Sequence, residues 1–133
     1  MKEIRNKNST IISIHDDVKG EFEIIGQTLV VKLGEDLDHH NSLHIREQAD
    51  KIIMNKNIKY IIFDFSGTDF MDSSGIGVIM GRYKKVIFIG GSVYVTGVSN
   101  NVDRIFKLSG LYKIIEKYNK VEEVLELIKS KGK

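Results

Sequence analysis

The sequence predicts an α/β fold: a mostly parallel sheet with an antiparallel N-terminal edge strand and helices packed mainly on one face. Three observations predict it. From Phe22 onward, short apolar, β-branched runs alternate with stretches of helical period. Two of the runs, 22–25 and 28–33, are separated by Gly26-Gln27, a two-residue turn that suits a β-hairpin. Within 28–33 and 92–98, polar and apolar residues alternate, as they do where only one sheet face is fully packed. The element order reads ββαβαβαβα. Right-handed crossovers between neighbouring strands would put every crossover helix on the same face and leave the other face barer.

Residues 1–20 read as an N-terminal extension, and 21–133 as the domain. In the extension, Thr10-Ile11-Ile12-Ser13-Ile14 suits a short strand, and His15-Asp16-Asp17 with Lys19-Gly20 suits a turn or linker. The segment has no strong apolar face, so it is expected to be dispensable for folding. In 28–33, Leu29, Val31 and Leu33 share one face, and Thr28, Val30 and Lys32 the other. The polar turn 34–38 follows. A helix is expected over 41–55, with Ile45, Ala49, Ile52 and Ile53 inside and a Glu47–Lys51 pair outside. Tyr60-Ile61-Ile62-Phe63 forms the heart of a buried strand over 59–65, and Ser66-Gly67 ends it. Ile76, Ile79, Met80, Tyr83 and Ile87 predict a helix over 74–89, closed by Gly90-Gly91. Arg82, Lys84 and Lys85 are expected on its solvated face. A strand at 92–98 leads to Ser99, the cap of a short helix carrying Val102, Ile105 and Phe106, which Gly110 ends. The last strand is expected at 113–118. Val121, Val124, Leu125 and Ile128 mark a final amphipathic helix, followed by a frayed, lysine-rich tail at 129–133.

Composition narrows the function. A chain of 133 residues suits one domain with a real core. A hydrophobic content of 41% with 29% charged residues is that of a globular domain. The net charge of +2 gives no steer to nucleic acid or membrane. With no cysteine, disulfides, thiolate catalysis and thiolate metal sites are excluded. No apolar run approaches the roughly 18 residues of a membrane span, and the polar first eight residues precede no secretory apolar region. A cytoplasmic protein is expected. Proline is absent, so the turns rest on Gly, Asn, Asp and Ser.

The chemistry concentrates at Asp72-Ser73-Ser74, a strand-to-helix turn. Asp and Ser oxygens there accept from the free amides of a first helical turn, and the positive end of the helix dipole favours a phosphate. Capping alone is the plainer reading of such a turn. A catalytic serine would need a base in reach. His15, His39, His40 and His44 all lie early in the chain, and no nucleophile-elbow pattern surrounds the serines. Gly75, Gly77 and Gly81 have the wrong spacing for a dinucleotide fingerprint and are expected to allow close helix–sheet packing. Asp36, Asp38, His40 and His44 lack an H-E-x-x-H frame, so no metal is expected. Asp64 lacks the acidic pair that a Mg²⁺-dependent phospho-receiver needs. Phe70 and Met71 form an exposed anchor for a partner unless at least one of them packs in the core.

The wording Phe70-Met71-Asp72-Ser73-Ser74-Gly75-Ile76-Gly77, followed by Gly81-Arg82-Tyr83-Lys84, closely resembles the central motif of the STAS anti-sigma factor antagonists, above all the sporulation anti-anti-sigma factors. Residues 33–40, Gly90-Gly91 and 106–115 agree, and the resemblance spans about 22–130. It implies a non-enzymatic switch without a cofactor. The unphosphorylated form would bind an anti-sigma factor that is also a serine kinase, with ATP carried by that partner, and so release a sigma factor. Phosphorylation of Ser73 would end the binding, and a serine phosphatase would reset it. No direct nucleic-acid or membrane contact is implied. The implied partner surface comprises Asp38, His39, Phe70, Met71, Asp72, Ser73, Ser74 and Gly75. Ser74 would help cap the helix and Asp72 shape the turn. The sequence departs from the family wording at Glu35, which takes a usual glycine position. If that glycine has φ > 0, the loop must be reshaped. The alternatives are a regulatory STAS module without phosphorylation and a small-ligand-binding domain.

Overall fold

The computed structural model describes residues 2–3, 9–13 and 20–131. The strands are β1 (Lys2–Glu3), β2 (Ser9–Ser13), β3 (Gly20–Ile25), β4 (Thr28–Leu33), β5 (Tyr60–Asp64), β6 (Ser92–Thr96) and β7 (Glu116–Tyr118). The helices are α1 (His39–Asn55), α2 (Ser73–Ile87), α3 (Asn100–Ser109) and α4 (Val121–Lys131). All seven strands form one sheet in sequence order. Neighbours from β1 to β4 run antiparallel, and those from β4 to β7 parallel. The β3–β4 hairpin turns at Gly26, whose φ of +60° glycine adopts readily and other residues avoid. The strand suggested by Thr10 to Ile14 is β2, paired from Ser9↔Ile25 to Ser13↔Glu21. Two strands of the N-terminal segment thus continue the sheet beyond β3. The turn expected at His15-Asp16-Asp17 and Lys19 lies outside the described residues.

Strand alternation divides the core. Leu29, Val31, Ile61, Phe63, Val93 and Val95 face α1, α2 and α3, where they meet Ile45, Ala49, Val78, Ile79, Val86, Val102 and Phe106. Val30, Ile62 and Tyr94 point the other way. The second face is the barer one, as expected, but it is not bare: Val121 and Val124 of α4 pack on it. The crossover rule governs α1, α2 and α3, which each join two parallel strands. Helix α4 follows β7 and connects no two strands of the described sheet, so the crossover rule does not hold it to the first face. Burying a Val or Ile fully is worth roughly 1.5–3 kcal/mol, so the bare face draws it there. The end of α4 is also more ordered than a frayed tail: Lys131 Nζ donates to Tyr94 Oη at 3.1 Å and sits over that ring.

Two more expectations are corrected. Residues 111–113 form a single 3-10 turn, and β7 starts only at Glu116. The run Lys113-Ile114-Ile115 looks like the start of the strand expected at 113–118, but Gly110 at φ +76° turns the chain, Leu111 is buried, and Leu111 O accepts from both Ile114 N and Ile115 N at 3.1 Å. Arg82 is not on the solvated face. It is buried between the helices, its Nε 3.0 Å from Asp50 Oδ1 on α1, with Nη2 donating to Asp50 Oδ2 at 3.4 Å and Nη1 to Val78 O at 3.1 Å. Burial lowers the guanidinium's pKa and Asp50 opposes that shift. This pair locks α1 to α2 and so fixes the spacing of the helix starts at the site.

Candidate functional site

The site forms where β4 and β5 hand the chain to α1 and α2. Parallel neighbours deliver their two loops, 34–38 and 65–72, to the same edge of the sheet, and the loops are stitched together. Leu37 N donates to Phe70 O at 3.0 Å, and Asp72 N to Leu37 O at 3.4 Å. Leu37 and Met71 form an isolated parallel bridge. Asp36 Oδ1 accepts from Phe70 N at 3.2 Å and from Asp69 N at 3.4 Å. Buried Thr68 donates to Glu35 O at 2.8 Å. Asn41 Nδ2 donates to Asp36 O at 2.8 Å. Asp36 is therefore the organiser of the site, a role that its place among scattered acids did not reveal.

Each helix start is capped by an aspartate. Asp38 Oδ1 accepts from Asn41 N at 3.0 Å, so α1 begins at His39, two residues before the predicted start. Asp72 has extended backbone (φ −106°, ψ −171°), and its Oδ1 accepts from Ser74 N at 2.8 Å. Asp72, not Ser74, is the cap of α2. Ser74 Oγ instead lies 3.3 Å from His39 Nδ1, across 35 residues of sequence. A histidine thus comes within reach of one serine, contrary to the expectation from the sequence. Ser73, at the first helical position, is exposed, and its hydroxyl bonds to nothing among the described residues.

The predicted partner residues separate into two groups. Asp38, His39, Phe70, Asp72, Ser73 and Ser74 line the rim, and Phe70 is 50% exposed. Met71 is 1% exposed and packs inward, while Gly75 is buried beneath it. A Cβ on Gly75 would lie 2.3 Å from Met71 Cγ and 3.0 Å from Leu37 Cδ2. These two residues hold the loops in place rather than offering contact surface. The expectation of close packing thus holds for Gly75 but not for Gly77 or Gly81, where an added Cβ would meet nothing within 4 Å. Glu35 causes no left-handed strain, since Asn57 is the one non-glycine residue with positive φ among those described.

Other candidates have local roles. Asp64 Oδ1 accepts from Ser66 N at 3.1 Å and Ser66 Oγ at 2.7 Å, which shapes the end of β5. His40 and His44 meet edge to face, 5.1 Å apart. Among the described residues no three metal-ligating side chains gather, and no helix is long and apolar enough to cross a membrane.

The geometry agrees with the comparisons. Residues 19–124 match the STAS domain. An anti-sigma F factor antagonist of Paenibacillus polymyxa is 42% identical over 108 residues, 80% of this chain and 92% of that protein. The chain belongs to the STAS-domain family of anti-sigma factor antagonists. Two solved structures extend the likeness to the fold. That of the anti-sigma factor antagonist SpoIIAA in its unphosphorylated form has a TM-score of 0.69 at 25% identity, over 83% of this chain and 97% of that one. That of the Bacillus cell fate determinant SpoIIAA in the phosphorylated form has a TM-score of 0.68 at 28% identity, over 82% and 98%. The STAS match begins at residue 19, so β1 and β2 lie outside it.

Proposed function

We propose that this STAS protein is an anti-sigma factor antagonist switched by phosphorylation of Ser73. The unphosphorylated form binds an anti-sigma factor with serine kinase activity and thereby releases a sigma factor; the partner supplies ATP, and a serine phosphatase reverses the modification. The chain itself carries out no catalysis in this scheme and works in the cytoplasm. The observation that carries the reading is the contrast between two adjacent serines. Ser73 presents a free hydroxyl at the positive end of α2, while Ser74 is turned toward His39. SpoIIAA, similar in sequence and fold, exists in a phosphorylated form.

The switch is local electrostatics. A phosphate adds about −1.5 to −2 charges on a rim that already holds Asp36, Asp38, Asp69 and Asp72. An interface closed over this rim would meet like-charge repulsion and desolvation costing several kcal/mol. The dipole of α2 favours the same charge, so the modified protein stays folded. Exposed Phe70, beside Ser73 on the rim, supplies the apolar anchor such an interface needs.

Incubation with the cognate kinase and ATP, followed by mass spectrometry, should place one phosphate on Ser73. Ser73→Ala should still bind the anti-sigma factor and fail to be released. Phosphate on Ser74, or release of Ser73→Ala by ATP, would overturn the assignment. A regulatory module without phosphorylation would show no modification under any kinase condition.

A further inference from the structure

The Ser73 turn lies at the end of the sheet where the parallel strands finish. The opposite end, where β4, β5 and β6 begin and α1, α2 and α3 stop, has a different surface. Six of the eight large apolar side chains exposed among the described residues stand there: Met54, Ile87, Phe88, Ile89, Leu108 and Ile114. Phe88 is 89% exposed and Met54 80%. The helices bring these two close. Asp50 of α1 meets Arg82 and Lys85 of α2, and one turn further on stand Met54 and, just past the end of α2, Phe88 and Ile89. Lys59 continues the surface, since its carbonyl accepts from Ser92 N at 3.3 Å. Ser92 in turn shares a cavity wall with Lys113 and Ile114.

Charge is segregated the same way. The stretches 51–63, 73–102 and 104–115 contain no Asp or Glu. Exposed Lys56, Lys84 and Lys113 make no ion pair among the described residues. Asp36, Asp38, Asp64, Asp69 and Asp72 all gather at the other end, so the net charge of +2 conceals one acidic and one basic end. Lysines near helix C-termini also answer the helix dipole, but that role gives no reason for Phe88, Ile89 and Met54 to stand together in water. We infer that this end docks on an anionic lipid surface, with Phe88, Ile89 and Met54 entering the headgroup region and Lys56, Lys84 and Lys113 meeting the lipid phosphates. A second copy of the chain fits less well, because it would set lysines against lysines. Docked this way, the protein holds the Ser73 turn away from the membrane, open to a partner.

The test is co-sedimentation of the full chain with vesicles of phosphatidylcholine alone and of equal parts phosphatidylcholine and phosphatidylglycerol. Saturable binding to the mixed vesicles is expected, at least about tenfold weaker on phosphatidylcholine alone and weakened by added salt. Phe88→Ser should weaken it about fivefold or more with the thermal unfolding temperature unchanged, because that side chain is already in water. Lys84→Gln with Lys113→Gln should weaken it as well. Phe70→Ser, which removes an exposed aromatic ring from the other end, should bind vesicles as the unaltered chain does. Absence of binding to the mixed vesicles, or equal losses in Phe88→Ser and Phe70→Ser, would overturn the inference. So would a dimer in sedimentation velocity that Phe88→Ser abolishes, or loss of anti-sigma factor binding in that variant, since either makes this end a protein interface. The vesicle assay uses unmodified protein and no partner, so its outcome is independent of whether Ser73 is a phosphoacceptor.

Discussion

The chain enters α2 and α3 by similar turns, from neighbouring strands, and each turn carries a serine. At α3, Ser99 is itself the cap: its backbone is extended (φ −71°, ψ 166°) and its Oγ accepts from Val102 N at 3.3 Å. Its hydroxyl is committed to the helix. At α2 the same task falls to Asp72, just before the serine, and Ser73 is left at the first helical position with its oxygen unbonded among the described residues. The loops differ as well. The loop before α2 is stitched to its neighbour through Asp36 and Leu37, which fixes where Ser73 stands. A serine at a helix start is thus either a structural cap or an available hydroxyl, and the residue before it decides which.

The strongest way to break this comparison is to put the same charge at both turns. Ser73→Asp should weaken binding to the anti-sigma factor by more than tenfold, that is by more than about 1.4 kcal/mol, with the fold intact. Ser99→Asp adds the same charge at the next helix start, where aspartate also caps well, and should leave binding unchanged. Calorimetric titration of each variant with the partner measures this. Equal losses would mean that net charge matters and position does not.

The next largest effect concerns the support beneath the turn. Gly75→Ala should cost about 1–3 kcal/mol in denaturant unfolding, the usual range for overpacking a filled core, because Met71 Cγ stands where the new methyl group must go. Met71→Ala in the same chain should relieve part of that cost and leave its own cavity behind. Additive losses for the pair would show that the two residues are not in contact.

The caps themselves come third. Asp72→Ala and Ser99→Ala should each cost about 1 kcal/mol by thermal unfolding. Asp72→Ala should in addition let the first turn of α2 loosen so that Ser73 takes over as cap, its Oγ accepting from the amide of Gly75 or Ile76, so phosphorylation of Ser73 should slow. Ser99→Ala should leave that rate alone. If both variants are phosphorylated at the normal rate, capping by Asp72 is not what keeps Ser73 available.

Much of this contrast was legible in the sequence, and the missing parts have physical reasons. The run Tyr60-Ile61-Ile62-Phe63 and the helical period from Ile76 to Tyr83 announced β5 and α2, so the turn between them could be placed. Ser99 and Gly110 correctly bracketed α3, because caps and left-handed stops are local signals. Contacts across the fold were not local. The Ser74–His39 approach spans 35 residues and the Arg82–Asp50 pair 32, and no periodicity reports which charges will meet. Arg82 therefore read as solvated although it lies on the inner side of α2. The rim's stitching by Asp36 was hidden for the same reason. The 3-10 turn at Leu111–Lys113 was masked by apolar residues that suit a strand, and tertiary packing overrode them.

The smallest expected effect tests what the bare glycines of α2 are for. Gly77 and Gly81 lie inside the helix, where glycine costs roughly 0.5–1 kcal/mol relative to alanine, and neither is required by packing, since an added methyl group has open space at both. Gly77→Ala should therefore raise stability by about 0.5–1 kcal/mol in denaturant unfolding. If Gly77 is kept small so that a partner can approach the rim beside Ser73, the same variant should bind the anti-sigma factor less well while being more stable. Gly81, one turn further from the rim, should show the gain in stability without the loss of binding. Unfolding curves and binding titrations on the two variants separate the effects. A Gly77→Ala protein that is more stable and binds as well as before would place the partner surface on the loops alone, with α2 serving only to present Ser73.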